Sequence, residues 1–93
     1  MKIYFQKTNG GNSVIITDGE TAKVFDAAPS GIYEGVDLYD ENAADQLRKR
    51  FCELDETGDL NVFYNIYSPN EMPLEYVKNE IKNHSELIYD TEK

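Results

Sequence analysis

Three runs of strand-forming residues at the start of the chain, separated by two short turn-forming segments, constrain the fold more than any other feature. Lys2-Ile3-Tyr4-Phe5-Gln6-Lys7-Thr8 carries β-branched and aromatic residues. Asn9-Gly10-Gly11-Asn12 follows and supplies the residues that tolerate positive φ, as a hairpin loop requires. Ser13-Val14-Ile15-Ile16-Thr17 is apolar enough to be a central strand. Asp18-Gly19-Glu20 is a second hairpin signal, and Thr21-Ala22-Lys23-Val24-Phe25 a third run. The first 26 residues therefore predict a three-stranded antiparallel meander.

The rest of the chain alternates in type. Residues 26–42 are irregular and acidic, punctuated by Pro29, Gly31 and Gly35. They are expected to form a structured loop or a short edge strand. A helix is predicted over about residues 41–54, with Asp40 or Asn42 as its cap and Ala44, Leu47, Phe51 and Leu54 as one apolar stripe. Asn61-Val62-Phe63-Tyr64-Asn65-Ile66-Tyr67 reads as a fourth strand. Ser68-Pro69-Asn70-Glu71 has the spacing of a capping box for a second helix reaching about residue 83, with Pro73 as a competing later start. Its buried stripe is Leu74, Val77 and Ile81, and residues 86–90 offer a last short strand. The expected fold is α+β: a mostly antiparallel sheet with two helices packed on one face, in the order βββαβα(β) and as one small domain over residues 1–93.

Charge decides which partners are excluded. Nine Lys and Arg stand against 18 Asp and Glu, a formal net charge of −9. Proteins that grip nucleic acid without regard to sequence take most of their affinity from cations set against phosphates, so no direct nucleic-acid partner is expected. Anionic lipid surfaces are disfavoured for the same reason, and no membrane partner is expected. Cys52 is the only cysteine, so neither an internal disulfide nor a cysteine zinc site is available. The N-terminus lacks the apolar core of an export signal, and no apolar run approaches a membrane span; the expected location is the cytoplasm.

No catalytic signature emerges, and no catalytic residue, cofactor or metal is predicted. No Gly precedes a Gly-Lys-Ser/Thr group, which excludes a phosphate-binding loop, and Gly10-Gly11 lies in a hairpin loop and opens no helix, which excludes a dinucleotide fingerprint. His84 is the single histidine, and its neighbour Ser85 cannot face it on a helix or strand. Cys52 lies beside the apolar stripe of the first helix and reads as a small half-buried residue, with His84 as the only base that could activate it. Asp55-Glu56-Thr57-Gly58-Asp59 fails the calcium-loop pattern, because glycine comes at its fourth position and Ile66 at its twelfth. A helix end followed by a turn explains it better. Arg48-Lys49-Arg50 point in different directions on a helix, with Lys49 placed to pair with Asp45 and Glu53.

The most interface-like stretch mixes carboxylates with tyrosine anchors. Residues 26–45 hold six acids and no Lys or Arg. The candidate partner-binding residues are Tyr33, Glu34, Asp37, Tyr39, Asp40, Glu41 and Asp45. Acids two apart on a strand lie about 6.7 Å apart, close to the spacing of successive phosphates. Asp18 with Glu20, or Asp26 with the acids after it, would extend such a face. In size, acidity and lack of motifs the chain resembles the small anti-defence proteins of bacteriophages, including anti-CRISPR proteins and DNA mimics. That resemblance implies a non-enzymatic inhibitor of a protein with a basic surface, such as a nucleic-acid-handling protein. An immunity protein or antitoxin would use the same electrostatic capture. An assembly module or homodimer is the structural alternative, and it predicts an exposed apolar patch or an open sheet edge.

Overall fold

The computed structural model describes residues 1–8, 11–26, 36–66 and 70–92. The chain folds as α+β, in the order β1 (Lys2–Thr8), β2 (Gly11–Thr17), β3 (Thr21–Asp26), α1 (Ala43–Thr57), α2 (Asp59–Ile66), β4 (Asn70–Pro73), α3 (Leu74–His84) and β5 (Ser85–Asp90). The strands form one five-stranded sheet in the order β4-β3-β2-β1-β5, with every neighbouring pair antiparallel.

The meander forms as its turn chemistry predicts. β1 and β2 pair from Lys2↔Thr17 to Thr8↔Gly11, and β2 pairs with β3 through Thr17↔Ala22. At the second turn Gly19 adopts φ +103°, a conformation costly for any residue with a Cβ. The Asp18 carboxylate accepts the N–H groups of Glu20 (2.9 Å) and Thr21 (2.8 Å), which closes the turn and holds its carboxyl below the usual carboxylate range.

β2 is buried on both sides. Val14 and Ile16 join Ile3, Phe5 and Phe25 against Leu47, Phe51 and Leu54 of α1 and Leu60, Phe63 and Tyr64 of α2. Ile15 and Thr17 point to the other face and are equally enclosed. That second face, which includes Tyr4 and Gln6, is covered by α3, as the hydrogen bond from Gln6 Nε2 to Glu80 (3.0 Å) records. The expected pair of helices on one face is therefore three helices on two faces. A central strand apolar at consecutive positions has no side left for water, so a layer on each face is required.

Residues 61–67 were expected to form a strand, but through Ile66 they are helix; Tyr67 lies outside the described residues. Leu60, Phe63 and Tyr64 are buried at i, i+3 and i+4, whereas Val62 is 54% exposed. Strand alternation would have put Val62 and Tyr64 on the same face. Spacing along the helix overrides the β-propensity of the individual residues. Gly58 separates the two helices in the left-handed conformation (φ +81°), and its N–H returns to the Asp55 carbonyl. The acidic stretch 55–59 is thus a helix end and a turn. α1 itself runs from 43 to 57 and not from 41 to 54, with Ala43, Leu47, Phe51 and Leu54 buried.

The fourth strand is Asn70–Pro73, paired with β3 from Thr21↔Pro73 to Val24↔Asn70. Pro73 and not Ser68 marks the start of the next helix; Ser68 and Pro69 lie outside the described residues. The residue before a helix needs extended backbone, which Pro73 has at φ −57° and ψ 139°. The first α3 amide, on Leu74, donates to the Glu20 carbonyl and pins the helix to the β2–β3 turn. β5 then returns along β1, with a bulge where Ile3 pairs with Tyr89 and Tyr4 with Leu87. The extra residue, Ile88, is 3% exposed and fills the core. No helix among the described residues is long and apolar enough to cross a membrane.

Candidate functional site

The acidic segment before α1 is a series of turns fixed from inside. Leu38 is 4% exposed and plugs the core, as does Ala43 five residues later. Between and around these plugs, Asp37, Tyr39, Asp40 and Glu41 are all exposed. The Asp37 carboxylate accepts the Tyr39 amide (2.9 Å), and the Asp40 carboxylate accepts the Asn42 amide (2.8 Å). Asn42 stands at the N-cap of α1 without a side-chain capping bond. Asn12 Nδ2 donates to the Leu38 carbonyl (2.8 Å), tying the segment to the β1–β2 hairpin. A Cβ added at Gly11 would lie 3.2 Å from the Tyr39 hydroxyl, so these turns lie against the start of β2.

Of the seven candidate residues, the structure gathers five. Asp37, Tyr39, Asp40, Glu41 and Asp45 are exposed on one continuous stretch, while Tyr33 and Glu34 lie outside the described residues. Tyr39 is 66% exposed. Asp45 differs from its neighbours because Arg48 Nη1 pairs with it at 2.6 Å. Arg48, and not Lys49, is thus the partner of Asp45; its Nε also donates to the Ile88 carbonyl (3.0 Å). Asp37, Asp40 and Glu41 have no ion pair among the described residues. The expected extension through Asp18 and Glu20 does not occur. Those residues follow the last residue of β2, whereas the Tyr39 segment meets the first, about 20 Å away at 3.3 Å per residue. The acids of 37–45 lie on turns and the first helical turn, so strand spacing does not govern them either.

The chemistry elsewhere is quiet. Cys52 is half-buried and lies 3.5 Å from a Glu56 carboxylate oxygen. Burial pushes its thiol up first, and Glu56 adds to the rise, which disfavours the nucleophilic thiolate. The Tyr89 hydroxyl donates to Asp55 (2.7 Å), and that bond holds its proton well above the usual tyrosine range. His84 ends α3 on the opposite side of the sheet from α1, so the only candidate base is not brought to Cys52. Among the described residues no group of three His, Cys, Asp or Glu could hold a metal ion.

A feature not foreseen in the sequence is a cleft of about 250 Å³ between α3 and the sheet, lined in part by Lys2, Tyr4, Leu74, Lys78 and Ile81. The alternation in β1 carries the signal: Lys2 and Tyr4 must face away from the layer that takes Ile3 and Phe5. Comparisons with protein-family models, with curated proteins and with solved structures find no match for this chain.

Proposed function

We propose that the chain is a non-enzymatic binding protein of the cytoplasm that captures and blocks a partner protein with a basic surface. The nucleic-acid groove of a nucleic-acid-handling protein is a surface of that chemistry. Asp37, Tyr39, Asp40 and Glu41 make the contact, with Asp45 beside them. The carrying observation is Tyr39, 66% exposed among three carboxylates that no cation neutralises among the described residues. An aromatic ring supplies contact area at low entropic cost, and fixed carboxylates steer a cationic partner into place. The turn hydrogen bonds hold this patch in shape before binding, which lowers the cost of ordering it.

The test immobilises the full chain, and in parallel Asp37→Lys/Asp40→Lys/Glu41→Lys, against the heparin-binding fraction of a bacterial lysate. The expected result is capture of a nucleic-acid-binding protein at low salt, its release at high salt, and loss of its nucleic-acid binding while captured. The triple variant captures nothing. Equal capture by the variant would sink the reading. Tyr76 (74% exposed) and Leu87 (46% exposed) favour a second reading, an assembly module or homodimer. Concentration-dependent sedimentation of the wild-type chain, abolished by Tyr76→Ser/Leu87→Ser, would select it.

A further inference from the structure

We propose that the cleft under α3 is a binding site for a free small anionic amphiphile, a carboxylate or similar anion with a short apolar body. α3 buries none of its residues completely; Leu74, Val77 and Ile81 are only half-buried against the sheet. The space left open is about 250 Å³. At about 30 Å³ for each water-sized group, it has room for about eight of them. Tyr4, Leu74 and Ile81 line its apolar part. Lys2 and Lys78 also line it, and neither forms an ion pair among the described residues.

Two acids, Asp18 and Glu92, also line the cleft, as does Met1. The Asp18 carboxylate is taken by the amides of Glu20 and Thr21, and Glu92 faces the Met1 amino group at 3.9 Å. The Thr17 hydroxyl donates to the Thr21 carbonyl (2.8 Å). Three cationic groups, Lys2, Lys78 and the Met1 amino group, therefore stand against two carboxylates around an apolar floor, in a chain of net charge −9. That arrangement suits an anionic head with an apolar tail, and it repels a cationic one. The cleft lies at the Lys2↔Thr17 end of the β1–β2 hairpin, opposite the Tyr39 patch, so the two sites share no residue.

The probe is octanoate, titrated into the full chain and followed by amide NMR shifts. Saturable shifts are expected at Lys2, Tyr4, Leu74, Lys78 and Ile81. Octylammonium should bind at least about tenfold more weakly, a difference of about 1.4 kcal/mol. Lys2→Glu/Lys78→Glu should weaken octanoate by a similar factor with an unchanged circular dichroism spectrum. Ile81→Phe fills the cleft and should abolish binding without lowering the unfolding midpoint. Phosphatidylglycerol vesicles should not carry the chain down with them. The proposal is overturned by shifts that never saturate or fall elsewhere, by equal binding of octylammonium, by wild-type affinity in either variant, or by co-sedimentation with the vesicles. None of these outcomes bears on capture through the Tyr39 patch.

Discussion

Replacing Tyr64 with phenylalanine should stabilise the protein. Tyr64 is 7% exposed, and its hydroxyl is buried without a hydrogen-bond partner. A buried polar group left unpaired costs about 1–3 kcal/mol, and deletion of the oxygen removes that cost while keeping the ring. The ring must stay, because Lys23 Nζ lies 4.0 Å from its centroid and donates to the Tyr64 carbonyl (2.6 Å). Tyr64→Phe should therefore gain about 1 kcal/mol, a rise in Tm of about 4–8 °C for a domain of this size. The alkaline limb gives an independent reading. Burial pushes the Tyr64 hydroxyl up to about 12, against about 10 in an unfolded chain. Below pH 10 both states keep the proton, and Tyr64 adds no pH dependence. Between pH 10 and 12 the unfolded state releases it first, so the stability held at lower pH is progressively lost. At pH 11 that loss is about 1 kcal/mol, and the advantage of Tyr64→Phe over wild type should widen to about 2 kcal/mol. Urea unfolding followed by circular dichroism at pH 7 and pH 11 measures both quantities. A variant less stable than wild type at pH 7, or a gap that does not grow with pH, would refute the reasoning.

Three further outcomes are expected. Arg48→Ala removes the donor to the Ile88 carbonyl at the bulge, and should cost about 1 kcal/mol and speed amide hydrogen exchange across β5. Cys52 should be alkylated by iodoacetamide at pH 8 more slowly than free cysteine, and Glu56→Gln should speed the reaction, because burial and Glu56 both hold the thiol protonated. Gly11→Ala places a Cβ 3.2 Å from the Tyr39 hydroxyl at φ +137°, and should lower stability by about 1–3 kcal/mol in thermal unfolding.

The parts of the fold legible in the sequence are those where local chemistry and hydrophobic period agree. Asp18-Gly19 reports its turn, and Leu47, Phe51 and Leu54 report the buried stripe of α1. Residues 61–66 read as a strand because Val62, Phe63, Tyr64 and Ile66 have strand propensity, whereas only contacts with β3 and α1 reveal that Phe63 and Tyr64 are buried and Val62 is not. The fourth strand is short, ends in proline, and owes its existence to the edge of β3, which no local pattern announces. For the candidate site, the sequence located the acids of 37–45 but not their neutralisation. Asp45 is paired because α1 brings Arg48 to it three residues on, while Asp37 and Asp40 turn back onto their own backbone.

The place of β1 in the sheet has a consequence for the order of folding. One of its edges meets β2, the next strand in the chain, and the other meets β5, so that Ile3 lies opposite Tyr89. Closing a loop of roughly eighty residues costs about 2–3 kcal/mol more entropy than closing a hairpin of four. The outer edge of β1 is therefore expected to stay unpaired after the meander forms, until residues 85–90 arrive. A chain cut short before β5 would present that edge, with Tyr4 and Gln6 on it, as a template for pairing with other chains.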